Sequence, residues 1–397
     1  MNIIILSGGS GHRLWPLSND ARAKQFLKVF RGERGAEESM LQHMWRLLNA
    51  AELSDRALIA TNKSQMELIQ SQIGHDAPII IEPERRDTYP AIALAATYLY
   101  SVNNADPDEI VAVIPVDPVV DNRFFDAVKE LGRIMSSSEQ LDIGLIGAKP
   151  DHPSVNYGYI VPESGENRGP GRTLLIDRFV EKPDEEEAKA LIERQALWNC
   201  GVFVFKLSFL IRLLQAKQCP IQYEALKAGY SLLPKISFDY EVVEKTSRLT
   251  VLPFDGNWKD LGSWKSLTEE MSANIIGKGA MGAECGNTHI VNELDIPVAV
   301  LGLSNVIVAA SPDGILVSDK TSSSRIKELM PVNRRPMYEE RRWGWFRVLD
   351  YIKSGNPNET LVKRIFIRSG KNLSYQYHRM RSEIWNIVSG EGEFVLD

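Results

Sequence analysis

The run LSGGSGHRLWPLSNDARAKQF (6–26) sets Gly8, Gly9 and Gly11 directly after an apolar stretch and follows them with Arg13 and Lys24. Glycines carry no Cβ, so backbone N–H groups there can close on phosphate oxygens and the loop can take positive φ. The spacing fits neither a Walker A loop nor G-x-G-x-x-G, and a tight structural turn explains such a loop taken alone. Arg13 and Lys24 shift that balance away from mere solvated cations. A planar fork and a compact point charge together suit a polyphosphate that gains charge in a transition state. Asp117 closes EIVAVIPVDP at the carboxyl end of an apolar run, where open α/β sheets hold their ligands, although a turn or cap acid is the plainer reading. Asp260 stands among glycine and tryptophan in NWKDLGSW. Two carboxylates joined by phosphate oxygens would make a hard-oxygen site for Mg²⁺. Glu181 and Lys182 in FVEKP, and Asn199 in WNCGVFVF, could grip hydroxyls and a phosphate, while each alone is an ordinary strand-end residue.

These residues need a scaffold, and the apolar pattern supplies one. NIIIL (2–6), RALIAT (56–61), PIIIEP (78–83), EIVAVIPVD (109–117) and IGLIGAK (143–149) are continuous apolar runs. Between them lie segments with apolar spacings of three and four, at 41–53, 64–73, 89–102 and 123–135. That alternation predicts a parallel-rich sheet covered on both faces, an α/β doubly wound fold. From about residue 150 the pattern turns to shorter β pieces, with an acidic helix at 184–195, and these would wall off a substrate pocket. The pattern breaks again near 280. Four units follow: 1–280; a turn-punctuated β segment, 281–321; a polar linker, 322–342; and a final β module, 343–397.

The 397 residues carry 46 Lys plus Arg against 52 Asp plus Glu, a net charge of -6. This mildly acidic balance argues against a nucleic-acid polymer as partner, which draws on a broad basic field. An anionic ligand must then be small and locally held. Cys200, Cys219 and Cys285 lie far apart without CxxC spacing, which predicts a reducing, cytoplasmic setting. The longest apolar stretches, such as 91–99, are too short for a membrane span.

The chain resembles the bacterial mannose-1-phosphate guanylyltransferases, of the type often fused to a cupin-fold mannose-6-phosphate isomerase. LSGGSGxRLWPLS with KQF downstream, EPxxRxTxPAIALAA, FVEKP, WNxGxFVF, SFDYxVxEKT and WxDxGSW carry the resemblance over most of the chain. It implies a nucleotide-diphospho-sugar transferase fold with a Rossmann-like, doubly wound mixed sheet, then a β-helix-like segment and a partial cupin. It also implies transfer of a nucleotidyl group from GTP to mannose 1-phosphate, giving GDP-mannose and pyrophosphate, with Mg²⁺ as cofactor. By motif, Gly8, Gly9, Ser10 and Gly11 with Arg13 and Lys24 would hold the triphosphate. Leu6, Glu82, Arg86, Asp87 and Thr88 would complete the nucleotide site, Asp117 and Asp260 would hold the metal, and Gly158, Glu181, Lys182 and Asn199 the sugar phosphate. Arg13, Lys24 and Lys182 would be the catalytic cations. A sugar phosphate is already largely anionic at pH 7, so its oxygen needs no general base.

Several positions depart from the family pattern. His12 replaces a threonine or serine, Ala23 a proline, Asp87 an asparagine, Tyr89 an alanine and Pro118 a histidine. Asp87 could accept from guanine or from the amino group of cytosine, which keeps open a same-fold transferase using CTP or another phosphorylated substrate. A catalytically silent nucleotide-sugar-binding homologue is a further alternative, opposed by retention of the cations and both aspartates. In the cupin-like end Gln376, His378 and Glu383 match metal-ligand positions, Ile384 stands where a second histidine would be, and the sequence stops before the second cupin motif. Isomerase activity is therefore not expected, since a catalytic zinc needs about three protein ligands. His378 is read as a structural strand residue. The open sheet edges are expected to pair with a second copy in a homodimer.

Overall fold

The computed structural model describes residues 1–9, 12–19, 22–31, 37–163, 172–329, 335–353, 358–373 and 375–395. Among them, nine strands form one mixed sheet in the order Ile79–Glu82, Ala57–Asn62, Asn2–Leu6, Ile110–Pro115, Leu197–Lys206, Ile143–Ala148, Leu249–Phe254, Leu174–Glu181 and Gly158–Pro162. The first four run parallel, whereas Leu197–Lys206 lies antiparallel between Ile110–Pro115 and Ile143–Ala148. All five apolar runs picked out in the sequence are strands of this sheet.

Side chains alternate across a strand, and both faces here are covered. Ile4 packs into one core with the helices Thr88–Ser101 and Leu207–Ala216. Ile3 and Ile5 face the other, with Met40–Ala50, Met66–Ile73 and Arg123–Ser137. This two-faced burial explains why the strands lack apolar-polar alternation. It also leaves the carboxyl ends of the four parallel strands as the open edge where loops collect.

After the sheet, Ile275–Gly277, His289–Asn292 and Val306–Ser311 pair in parallel, as do Gly279–Met281 and Val298–Val300. Such ladders between successive coils are β-helix-like, and the pairing starts at Ile275 rather than at 281. The polar stretch 322–342 holds the short helices Ser322–Arg325 and Ile326–Leu329 and the strand Tyr338–Arg341. That strand opens a three-stranded antiparallel sheet with Gly344–Lys353 and Glu359–Ile367. Described residues beyond 367 form no helix or strand. His378, expected on a strand, instead lies in irregular chain, where Nε2 stands 3.1 Å from Glu383 and 2.8 Å from Arg381 Nη2. No described group of three or more His, Cys, Asp or Glu side chains is arranged to hold a metal ion. No helix among the described residues is long and apolar enough to cross a membrane.

Candidate active site

Asp117 follows the strand Ile110–Pro115, and Asp260 is reached only much later in the chain. A two-stranded ribbon brings them together: Pro118–Val120 pairs antiparallel with Trp258–Asp260, and Asp260 sits opposite Pro118. Lys24 Nζ lies 2.7 Å from Asp117 Oδ2 and 3.3 Å from Asp260 Oδ1. Burial would lower the lysine's pKa, but the two carboxylates outweigh it and hold the ammonium well above its ordinary value. Burial would likewise raise Asp117, yet Lys24, and more weakly Arg13, keep it below the usual carboxylate range. Arg13 is exposed beside this cluster. A Cβ on Gly262 would fall 3.1 Å from Asp260 Oδ2 and 3.3 Å from Arg13 Nη1. Gly262 thus leaves room for the acid and the guanidinium to approach one another.

The described part of the glycine loop is held from beneath by two buried amides and a buried hydroxyl. Gln25 Nε2 donates to Ser7 O at 3.3 Å, Thr61 Oγ1 to Ser7 O at 3.0 Å, and Gln65 Nε2 to Gly9 O at 3.1 Å. With their carbonyls engaged below, the loop residues are fixed against reorientation, the condition for backbone N–H groups to serve an anion. Leu6 spends its carbonyl on Val116 N at 3.2 Å and packs into the core. Ser10 and Gly11 lie outside the described residues.

Glu82 is buried under Gly8, where an added Cβ would fall 2.9 Å from its Oε1. Tyr230 OH donates to Glu82 Oε2 at 2.8 Å. Burial pushes the Glu82 carboxyl up to about 7, although Tyr230 and Arg85 both pull the other way. The neighbouring side chains are engaged in building the loop. Arg86 Nη1 donates to Leu233 O at 2.7 Å, Thr88 Oγ1 accepts from Phe238 N at 2.8 Å, and Asp87 accepts from Thr88 N at 2.8 Å. Asp87 does so at φ 69, a conformation that Asp and Asn tolerate better than most residues. Arg86 and Thr88 thereby tie the turn before Thr88–Ser101 to the segment that precedes Asp239.

Glu181 pairs with Gly158 in strand register, and a Cβ on Gly158 would fall 2.5 Å from Glu181 Oε2 and 2.7 Å from the Phe179 ring. Lys182 adopts φ 48 and its ammonium pairs with Glu181. Burial opposes the Lys182 charge, and Glu181 more than restores it. Gly201, at φ 70, makes a bulge in its strand, so that Gly201 N donates to Asn199 Oδ1 at 3.1 Å while Asn199 Nδ2 donates to Asp239 Oδ1 at 2.8 Å. Burial first, and then the Glu181 charge, push Asp239 up to about 7. Tyr157 joins the two halves. Its carbonyl accepts from Lys182 N at 3.2 Å, and its ring packs edge-on against Trp198 at 4.8 Å and Trp258 at 5.6 Å.

The structure therefore brings Arg13, Lys24, Asp117 and Asp260 together, and sets Gly158, Glu181, Lys182 and Asn199 in a second group. Asp239, Gln65, Tyr230 and Gly262 escaped the reading of the sequence. Asp239 lies inside SFDYxVxEKT, where it carried no assigned role; Gln65 has no local signal. The donor set fits a hard divalent cation, because the two carboxylates already converge on one positive charge and leave its remaining coordination to phosphate oxygens or water.

A mixed doubly wound sheet with a glycine loop, cations and paired carboxylates at its open edge defines a nucleotidyl transferase. The chain belongs to the nucleotidyl transferase family, whose model matches residues 2–275. It is 33% identical to the xanthan biosynthesis protein XanB of Xanthomonas campestris pv. campestris (strain B100), over 98% of this chain and 86% of that protein. It is 30% identical to the mannose-1-phosphate guanylyltransferase of Escherichia coli, over 99% and 87%. The crystal structure named mannose-1-phosphate geranyltransferase from Thermus thermophilus matches with a TM-score of 0.69 and 29% identity, over 83% of this chain and 97% of that one. The resemblance drawn from the motifs is borne out.

Proposed function

We propose that this chain transfers the guanylyl group of GTP to mannose 1-phosphate, releasing pyrophosphate and forming GDP-mannose. The observation that carries this reading is the convergence of Asp117, Asp260 and Lys24 beside Arg13, facing a second group of Glu181, Lys182, Asn199 and Asp239. The first group suits a triphosphate; the second suits hydroxyls and a phosphate. Two polyanions must meet, so the work is positioning and charge compensation. The sugar-phosphate oxygen is already largely ionised near neutral pH, and no side chain has to remove its proton. Lys182 would hold the attacking phosphate. Arg13 and Lys24 would steady the charge that builds on the departing pyrophosphate. Asp117 and Asp260 would hold Mg²⁺, which when bound supplies Lewis-acid polarisation of the phosphate oxygens. The buried Glu82 carboxylate, an acceptor under the glycine loop, would read the adjacent N–H donors of guanine. Asp87 is occupied in capping its own helix.

We further infer a cytoplasmic homodimer. The free thiols of Cys200, Cys219 and Cys285 support the compartment. Val362, Ile365, Phe366 and Ile367 on the exposed strand Glu359–Ile367 support a second copy as cover. Sedimentation as a monomer at micromolar concentration would remove the dimer. The test of function is pyrophosphate release across ATP, GTP, CTP, UTP and dTTP, against several sugar 1-phosphates with Mg²⁺. The expected maximum is GTP with mannose 1-phosphate; a maximum with CTP, or no turnover with any pair, would overturn the assignment.

A further inference from the structure

Arg13 and Lys24 belong to one segment, and between them Trp15, Pro16, Asn19 and Arg22 contact the β-helix-like unit and the C-terminal sheet. Ser311 Oγ donates to Pro16 O at 2.7 Å, and a Cβ on Gly314 would fall 2.5 Å from the Trp15 ring. Asn19 Nδ2 donates to Asp313 Oδ2 at 2.6 Å, whose Oδ1 accepts from Met337 N at 2.6 Å. Arg22, two residues before Lys24, is buried, and its Nη1 stands 2.8 and 2.9 Å from the two oxygens of Glu293. The guanidinium also lies 5.7 Å from the centre of the Tyr338 ring. Arg347, opposite Tyr338 in strand register, closes the set by donating to Glu293 O at 3.0 Å.

A buried arginine paired with a carboxylate is a poor source of net stability, because desolvation offsets the attraction; its geometric strictness is what it offers. Here that strictness falls next to Lys24, whose Nζ must meet two carboxylates at once. Misplacement of a reacting group by about 1 Å can cost about 100-fold in rate. We propose that Arg22 is a positioning residue for the transfer reaction, and that Glu293, Asp313 and Tyr338 use it and Asn19 to set Lys24 from outside the transferase domain. The β-helix-like unit and the C-terminal sheet are then parts of the machinery, acting through Pro16, Asn19 and Arg22.

The proposal rests on the transferase reading above, and the experiment separates the two. In the full-length chain, Glu293→Gln, Asp313→Asn, Tyr338→Leu and Arg22→Lys are each assayed for kcat and for both KM values, with a thermal melt confirming folding. Glu293→Gln is expected to lower kcat by about 10- to 100-fold, with both KM values within threefold. Arg22→Lys, which keeps one donor for Glu293, is expected to retain more kcat than Glu293→Gln. The double variant of Glu293→Gln with Tyr338→Leu should lose less than the product of the single losses, since both act through one guanidinium. A folded Glu293→Gln with kcat within twofold of the parent overturns the proposal, as does a loss confined to KM. If Glu293→Gln does not fold, Asp313→Asn and Tyr338→Leu decide it on the same criteria. An inactive parent chain would instead reject the transferase reading.

Discussion

Asp117 and Asp260 share the ammonium of Lys24, at 2.7 and 3.3 Å, across a ribbon only three residues long on each side. The lysine thus sits where a divalent cation would have to be held, and it must give way or share when the metal and triphosphate arrive. Removing it has opposite consequences for binding and for turnover. Lys24→Met leaves two carboxylates facing each other, each raising the other's affinity for any cation. Without nucleotide, Mn²⁺ or Mg²⁺ is expected to bind at least about 10-fold tighter than to the parent by calorimetry, while pyrophosphate release falls by at least about 100-fold. Weaker metal binding in the variant would show that the lysine assembles the acid pair rather than competing for it.

Gln65 reaches Gly9 O from a fully buried position. Gln65→Leu keeps the bulk but strands a carbonyl that the loop had turned inward. Losing this hydrogen bond to an exposed loop residue costs about 0.5–1.5 kcal/mol, enough to let the loop leave its binding geometry. The KM for nucleotide should rise about 10-fold, with the KM for sugar phosphate within twofold. Steady-state kinetics with each substrate varied in turn checks this; equal rises in both would move Gln65 from the phosphate loop to general stability.

Asp117 was legible because a carboxylate ending an apolar strand stands where open α/β sheets bind. Its meeting with Asp260 was not, because strands of three residues carry no periodicity and their pairing is fixed by the fold around them. Arg86 and Thr88 showed the right chemistry for a nucleotide, yet the structure spends them on Leu233 and Phe238, partners about 150 positions away. Glu293 and Asp313 lie in turn-rich sequence where acids are commonplace. Only their three-dimensional neighbours, Arg22 and Asn19, mark them. The elements themselves were far more legible than these pairings, since burial on both sheet faces writes itself directly into NIIIL and IVAVIP.

Tyr230 and Glu82 make the nucleotide end sensitive to pH. Burial has moved Glu82 up to about 7, and the tyrosine's hydrogen bond favours the ionised form. Tyr230→Phe removes that support, so Glu82 should hold its proton to still higher pH. If the carboxylate form reads the base, the acid limb of the kcat/KM profile for GTP moves to higher pH by about 0.5–1 unit. Glu82→Gln should abolish that limb. Profiles between pH 5.5 and 9 that coincide for parent and Tyr230→Phe would exclude Glu82 from base recognition.

Asp239 trades stability for a charge beside the sugar-phosphate group. Its folded pKa is raised from 3.8 to about 7, by burial and by Glu181. An acid that binds its proton more tightly when folded stabilises less as pH rises: the unfolded chain releases the proton near pH 4, the folded chain only near pH 7, and above that the full cost is present. Asp239→Asn keeps an acceptor for Asn199 Nδ2 and cannot ionise. It is expected to match the parent near pH 4, to exceed it by up to about 4 kcal/mol at pH 8, at about 1.4 kcal/mol per pKa unit, and to lose activity wherever a carboxylate must accept from a sugar hydroxyl. Urea melts at pH 5 and pH 8 check the sign. The same stability difference at both values would mean that the carboxylate does not titrate on folding, and the raised affinity for its proton would then have no part in how this site is built.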